Sequence, residues 1–351
     1  MVEPAQVVVA LSTRRYSPLC TFASSVLFVY FCGIGFYLWT SNFACRLRNL
    51  GEEQPIFISG MTWDIEQRGR YLAVKNYIRA ALYVDKAKTM TFCAAATTTE
   101  LYHVTEICSR WQGPMSVSVY APGSDFKTAL RKIIHLRLSD SCVHQNVTWH
   151  VYFDSEFSPP QKNLRSPEEE AELTKASPTY EMWPKGTFKS HGTLPFPANI
   201  GRNIALQESR TDYVLVSDLH YYPSAQIIPR FLKLLKFQGK TGKKVYVLPV
   251  FRMLGYGKPP TTKTELVEMI SKSDIKLSSG TSDCSECNIF PNARKWLEVR
   301  LPDDSLSVYY VSHEKEEFKS WQPFYISQRN IPVFDEDQTK EGKYDRKLQV
   351  G

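Results

Sequence analysis

No internal repeat and no low-complexity tract interrupts the 351 residues, a length that accommodates one large or two small domains with a real core. Charge of one sign is also missing. The 43 basic and 36 acidic residues leave a net +7 spread along the chain, too diffuse for a nucleic-acid surface. A full set of metal-binding cysteines is absent. Cys284-Ser285-Glu286-Cys287 is one C-x-x-C with no second pair, and no spacing supplies the further ligands of a structural zinc. Asn288-Ile289-Phe290-Pro291 follows it rather than the helix start of a redox motif, which favours a disulfide or packing role. A P-loop is lacking too. Gly239–Lys244 separates its glycines by only two residues and leads into a strand.

Long hydrophobic runs are scarce, with one exception. Thr21–Thr40 carries no charge over roughly the 20 positions that a membrane-spanning helix needs, and Tyr37 and Trp39 sit near its distal end. It exceeds the apolar core of a cleaved signal, and no A-x-A-like site follows cleanly. Arg14 and Arg15 before it and Arg46 and Arg48 after it leave the positive-inside rule undecided. Nearly all of the chain follows the run, and Asn146-Val147-Thr148 is a glycosylation sequon. Cys45, Cys93, Cys108, Cys142, Cys284 and Cys287 form an even set suited to an oxidising lumen. The expectation is a single-pass type II protein held in the lipid bilayer. Its parts are a cytoplasmic tail 1–20, an anchor 21–43, a stem 44–88 and a lumenal domain 89–351 with Asn146 glycosylated.

Cys45–Lys88 has no clear period. From Met90 onward, strand and helix patterns alternate. Thr89–Ala94 reads as a strand and Thr99–Trp111 as a helix burying Leu101, Val104, Ile107 and Cys108. Met115–Tyr120 reads as a strand, Asp125–Leu138 as a helix and Val147–Phe153 as a third strand. This succession predicts an α/β fold with a parallel, doubly wound sheet. Ser158–Pro197 is proline-rich and aperiodic, the pattern of a binding loop or a disordered insert. Helices are expected again at Asn199–Glu208 and Ala225–Lys236, with buried strands at Tyr213–Val216 and Lys244–Phe251. In the less regular carboxyl-terminal third, Trp321–Tyr325 and Ile331–Glu336 read as an aromatic lid over the core, compatible with a substrate-facing role.

Asp218 and His220 end the Tyr213–Val216 strand, at the edge where open α/β sheets bind ligands. A carboxylate there can hold a hard divalent cation, which can clamp a diphosphate. The plainer alternative makes Asp218 a turn cap and His220 a solvated loop residue.

Ile107-Cys108, Trp111-Gln112-Gly113-Pro114 and Ser116–Tyr120 together resemble the first strand–helix–strand of glycosyltransferase family 49. Phe196-Pro197-Ala198-Asn199-Ile200-Gly201-Arg202-Asn203 is similar to that family's Y-P-x-N-x-x-R-N, and Tyr213–Pro223 to its buried strand, D-x-D and proline. The match continues through Val247–Phe251, Trp296 and Trp321–Glu336. The resemblance implies a GT-A fold, a UDP-sugar donor (glucuronate above all), a glycan acceptor, Mn²⁺ and inversion at the anomeric carbon. Asp218 and His220 are then the expected metal ligands, and Arg202, Asn203 and Asp218 the expected donor-binding residues. Asp335 or Glu336 is the expected general base, on chemistry alone. Two departures stand out. His220 replaces the second aspartate of D-x-D, and the chain stops at Gly351 where family domains continue to a metal-binding histidine. The expected function is a membrane-anchored Golgi glycosyltransferase, with an inactive glycan- or partner-binding relative as the alternative. A lumenal thiol protein using Cys284 and Cys287 is a distant third.

Overall fold

Eight strands form one mixed sheet in the computed structural model, which describes residues 64–82, 85–159, 186–238, 244–255, 257–277, 290, 292–300, 302, 305–311 and 323–337. In chain order the strands are β1 (Asp64–Arg68), β2 (Tyr71–Ile78), β3 (Met90–Thr97), β4 (Met115–Tyr120), β5 (Val147–Asp154), β6 (Tyr213–Asp218), β7 (Val245–Leu248), β8 (Phe251–Met253), β9 (Ile275–Leu277) and β10 (Phe324–Gln328). The sheet runs β1-β2-β5-β4-β3-β6-β10-β7, while β8 and β9 pair separately. Its centre, β5-β4-β3-β6, is parallel, and β10 runs antiparallel between β6 and β7. This parallel-rich α/β sheet fits the expected GT-A-like class. The expected anchor Thr21–Thr40 lies outside the described residues. Among those described, no helix is long and apolar enough to cross a membrane.

The central strands were readable because helices cover both faces, so every residue from Met115 to Tyr120 is buried. On one face, Phe92, Ala94 and Ala96 meet Leu101, Val104 and Ile107, and Phe231 joins the same core. Those partners lie on the turn Leu101–His103, on α1 (Val104–Trp111) and, downstream, on α6 (Ile227–Gln238). Helices α2 (Asp125–Ser139) and α3 (Ser141–Asn146) add Phe126, Ile133 and Val143. A disulfide joins Cys108 of α1 to Cys142 of α3, whereas Cys93 is a buried free thiol, so the even cysteine count does not translate into full pairing. Cys45, Cys284 and Cys287 lie outside the described residues.

Short α4 (Phe188–His191) precedes α5 (Ala198–Glu208), which lies on the opposite face. A Cβ on Gly201 would come within 2.5 Å of Tyr152 Oη and 2.8 Å of Ala95 Cβ, so only glycine lets α5 approach this closely. The remaining helices are α7 (Lys263–Ser271) and α8 (Ala293–Glu298).

Three expectations need correction. Residues 64–78, assigned to a stem, form the β1–β2 hairpin and pair with β5. Its pattern is hidden because β1 is polar and β2 bulges between Val74 and Ile78, with Asn76 at φ 49°. That bulge turns the Asn76 N–H onto buried His150 Nδ1 at 2.8 Å. The strand expected over Lys244–Phe251 breaks after Leu248, where Pro249 has no N–H for a ladder. Finally, Phe324–Gln328 is an inserted sheet strand rather than a lid.

Candidate functional site

β6 sits beside β3 with Asp218 opposite Ala95, so the turn Thr97–Glu100 and the turn after Asp218 share the carboxyl edge of the sheet. α5 crosses under this edge and supplies Asn199, Arg202 and Asn203, all buried. Arg202 Nε and Nη2 donate to Asp218 Oδ1 and Oδ2, both at 3.0 Å, and Nη1 donates to Asn199 Oδ1 at 2.9 Å. The guanidinium also lies over the Phe334 ring, 5.7 Å from its centroid. Arg202 and Asp218, both expected at the donor, are thus brought together as a two-pronged ion pair.

Asn203 is committed differently. Its Oδ1 accepts from Phe334 N at 2.8 Å, and its Nδ2 donates to Phe334 O at 2.9 Å and Glu336 Oε1 at 2.8 Å. The side chain clasps a peptide, a packing role. Glu336 also accepts from Arg68 Nη1 at 2.8 Å, tying the β1–β2 hairpin to this segment. Asp335 is exposed, and its backbone oxygen accepts from Asn199 Nδ2 at 2.9 Å. Of the two base candidates, Glu336 is held as a structural carboxylate and Asp335 faces solvent.

His220 meets a residue that the sequence reading missed. Its Nδ1 lies 3.7 Å from Glu100 Oε1, and Glu100 Oε2 accepts from Thr97 N and Oγ1, each at 2.7 Å. Burial pushes the Glu100 carboxyl up, but His220 and the two Thr97 donors outweigh it and hold the group below its usual range. Behind His220, His103 bonds Tyr222 through a short contact, and burial with the His220 charge lowers its pKa. Glu100 was detectable as the first acid after the buried strand β3, which ends at Thr97.

A cavity of about 740 Å³ opens from the same turn, lined by His220, Tyr222, Arg230, Arg252, Trp296 and Tyr309 among others. Its walls are braced. Arg110 donates to the Pro259 and Pro260 carbonyls, and Lys263 donates to the Trp296 and Val299 carbonyls while lying 3.9 Å from the Trp296 ring centroid. Burial lowers Lys263 to about 8.

The expected metal ligands, Asp218 and His220, offer one hard oxygen group and one imidazole two residues apart. Among the described residues, no group of three or more His, Cys, Asp or Glu could hold a metal ion. Both Asp218 oxygens accept from Arg202, and His220 Nδ1 lies beside Glu100.

Residues 89–351 match the family described as "Glycosyl-transferase for dystroglycan". Beta-1,4-glucuronyltransferase 1 of Danio rerio is 26% identical over 286 residues, covering 76% of this chain and 64% of that protein. Its Homo sapiens counterpart is 27% identical over 251 residues, covering 69% and 58%. Xylosyl- and glucuronyltransferase LARGE2s of Danio rerio is 22% identical over 261 residues, covering 72% and 27%. The chain spans less than two thirds of the length of these relatives.

Proposed function

The chain belongs to the family described as glycosyl-transferase for dystroglycan, and from that premise we propose that it transfers a sugar from a UDP-sugar to a glycan acceptor. Glucuronate is the favoured sugar, because similar proteins are named for its transfer. The observation that carries the reading is the family match over residues 89–351, with Asp218 at the carboxyl edge of β6 beside the Glu100 turn and a large cavity. Asp218 and His220 are the residues that would hold a manganese ion, whose chemistry there is to neutralise the charge of the leaving diphosphate. Arg202 orients Asp218 and lends positive charge to the same edge. Inversion requires a base on the acceptor hydroxyl, and the role is assigned to the exposed Asp335 because Arg68 and Asn203 engage Glu336.

The proposed setting is the Golgi membrane, type II, with the sheet in the lumen. The Cys108–Cys142 disulfide supports an oxidising compartment. Endoglycosidase treatment of the cell-expressed chain should lower its mass through Asn146. An unshifted chain that is open to protease from the cytosol would reverse the orientation.

A second reading, an inactive relative that binds glycan or a partner, is favoured by one observation: both Asp218 oxygens are engaged by Arg202. Screening UDP-sugars for hydrolysis and transfer by the full chain, with Mn²⁺ added and removed, decides between the two. Manganese-dependent turnover of one donor supports the transferase. No turnover of any donor, with glycan binding retained, supports the relative.

A further inference from the structure

The fold closes on the Asn146 sequon along its whole length. Asn146 is the last residue of α3, and its Nδ2 donates back to the Cys142 carbonyl at 3.1 Å and to Cys142 Sγ at 3.7 Å. Val147 is fully buried at the start of β5, opposite Met115. Thr148 Oγ1 accepts from Ala80 N at 3.1 Å, and the His144 and Gln145 carbonyls accept from Ala81 N and Leu82 N. An acceptor sequon belongs in a surface loop, whereas this one joins a helix end to a buried strand. Cys142, which holds the Asn146 amide, is bridged to Cys108 of α1. Both cysteines precede Asn146 in the chain. When the chain enters an oxidising compartment from its amino end, both thiols arrive before the sequon does.

We propose that Asn146 accepts a glycan only while the Cys108–Cys142 disulfide is open, so that the two modifications compete on the newly made chain. In the first, Asn146 Nδ2 attacks the anomeric carbon of a lipid-diphosphate-linked oligosaccharide. A C–N bond forms, the C–O bond to the diphosphate breaks, the lipid diphosphate leaves, and Nδ2 gives up one proton. In the second, the two thiols lose two protons and two electrons to a disulfide-bearing oxidant, which is reduced to a dithiol. The bridge fixes α3 against α1 and leaves the Asn146 amide held on Cys142. The inference rests on the proposed lumenal placement and is independent of transferase activity.

The mass lost on endoglycosidase treatment of the full chain, expressed in cells, tests this. A carboxyl-terminal tag with its own sequon reports lumenal exposure, and Asn146→Gln identifies the shift that belongs to Asn146. The unmodified chain should be glycosylated at Asn146 in part. Cys108→Ser, or dithiothreitol present during synthesis, should shift it to near-complete occupancy. Cys108→Ser leaves Cys142 and its contacts with Asn146 in place. Gly201→Ala, which disturbs packing on the opposite face of the sheet with the bridge intact, should keep the partial occupancy and so separates bridge closure from poor folding in general. Complete occupancy in the unmodified chain, none in any chain, equal occupancy with and without the bridge, or the same rise in Gly201→Ala would overturn the inference. A bare tag sequon would overturn it together with the lumenal placement, whereas a glycosylated tag would confine the failure to the inference alone.

Discussion

Arg202 holds Asp218 through two parallel bonds of 3.0 Å, so the carboxylate at the end of β6 is fixed by a helix on the underside of the sheet. The side chains are only 5% and 13% exposed. Asp218→Asn would leave a buried guanidinium without its counter-charge, at a cost of about 3–5 kcal/mol. Chemical denaturation checks this, and Arg202→Met/Asp218→Leu should recover much of the loss. A shift of under about 1 kcal/mol in Asp218→Asn would show that the pair is not fixed as described.

Asn203 should behave as a clasp. Asn203→Ala removes bonds to Phe334 N, Phe334 O and Glu336, and should cost about 2 kcal/mol. Hydrogen exchange at the Phe334 amide should accelerate well beyond that of the β4 amides. Unchanged protection at Phe334 would refute the clasp.

Gly201→Ala should force α5 away from Tyr152 and Ala95, destabilising the fold by about 1–3 kcal/mol. A thermal midpoint equal to that of the unmodified chain would show that α5 packs less closely.

His150 sets an acid limit. It is fully buried, its Nδ1 accepts from Asn76 N, and its Nε2 therefore donates to Ser116 Oγ at 2.9 Å as a neutral imidazole. Burial, with a smaller effect of Lys75, lowers its pKa to about 3. The unfolded chain binds the proton below about pH 6.5, so stability should be complete above that pH and fall as the pH drops towards 3. Denaturant midpoints against pH should show the slope, and His150→Gln should flatten it. A slope unchanged by that substitution would assign it to other groups.

Much of this architecture could be read in the chain. β3 to β6 stand out because strands buried on both faces leave uninterrupted apolar runs, and the Asp125 helix and α5 keep helical spacing. The edges could not. β1 is polar because it is exposed, β2 loses its alternation at Asn76, and β10 takes its place only through pairing with β6 and β7. At the site, residue types pointed to Asp218 and His220, and the family resemblance to Arg202, but neither pointed to their partners. That Arg202 faces Asp218, that Asn203 clasps Phe334 and that Glu100 faces His220 all depend on contacts across the fold.

The central claim is that Asp218 marks a cation-assisted nucleotide-sugar site. Calorimetry of UDP with the full chain, with and without Mn²⁺, tests it most directly, using the unmodified chain, Asp218→Ala and His220→Asp. The account predicts Mn²⁺-dependent binding that is lost in Asp218→Ala and tightened in His220→Asp, where a second carboxylate joins the site. Binding equal in all three proteins, or absent in the unmodified chain and not restored by His220→Asp, would contradict it.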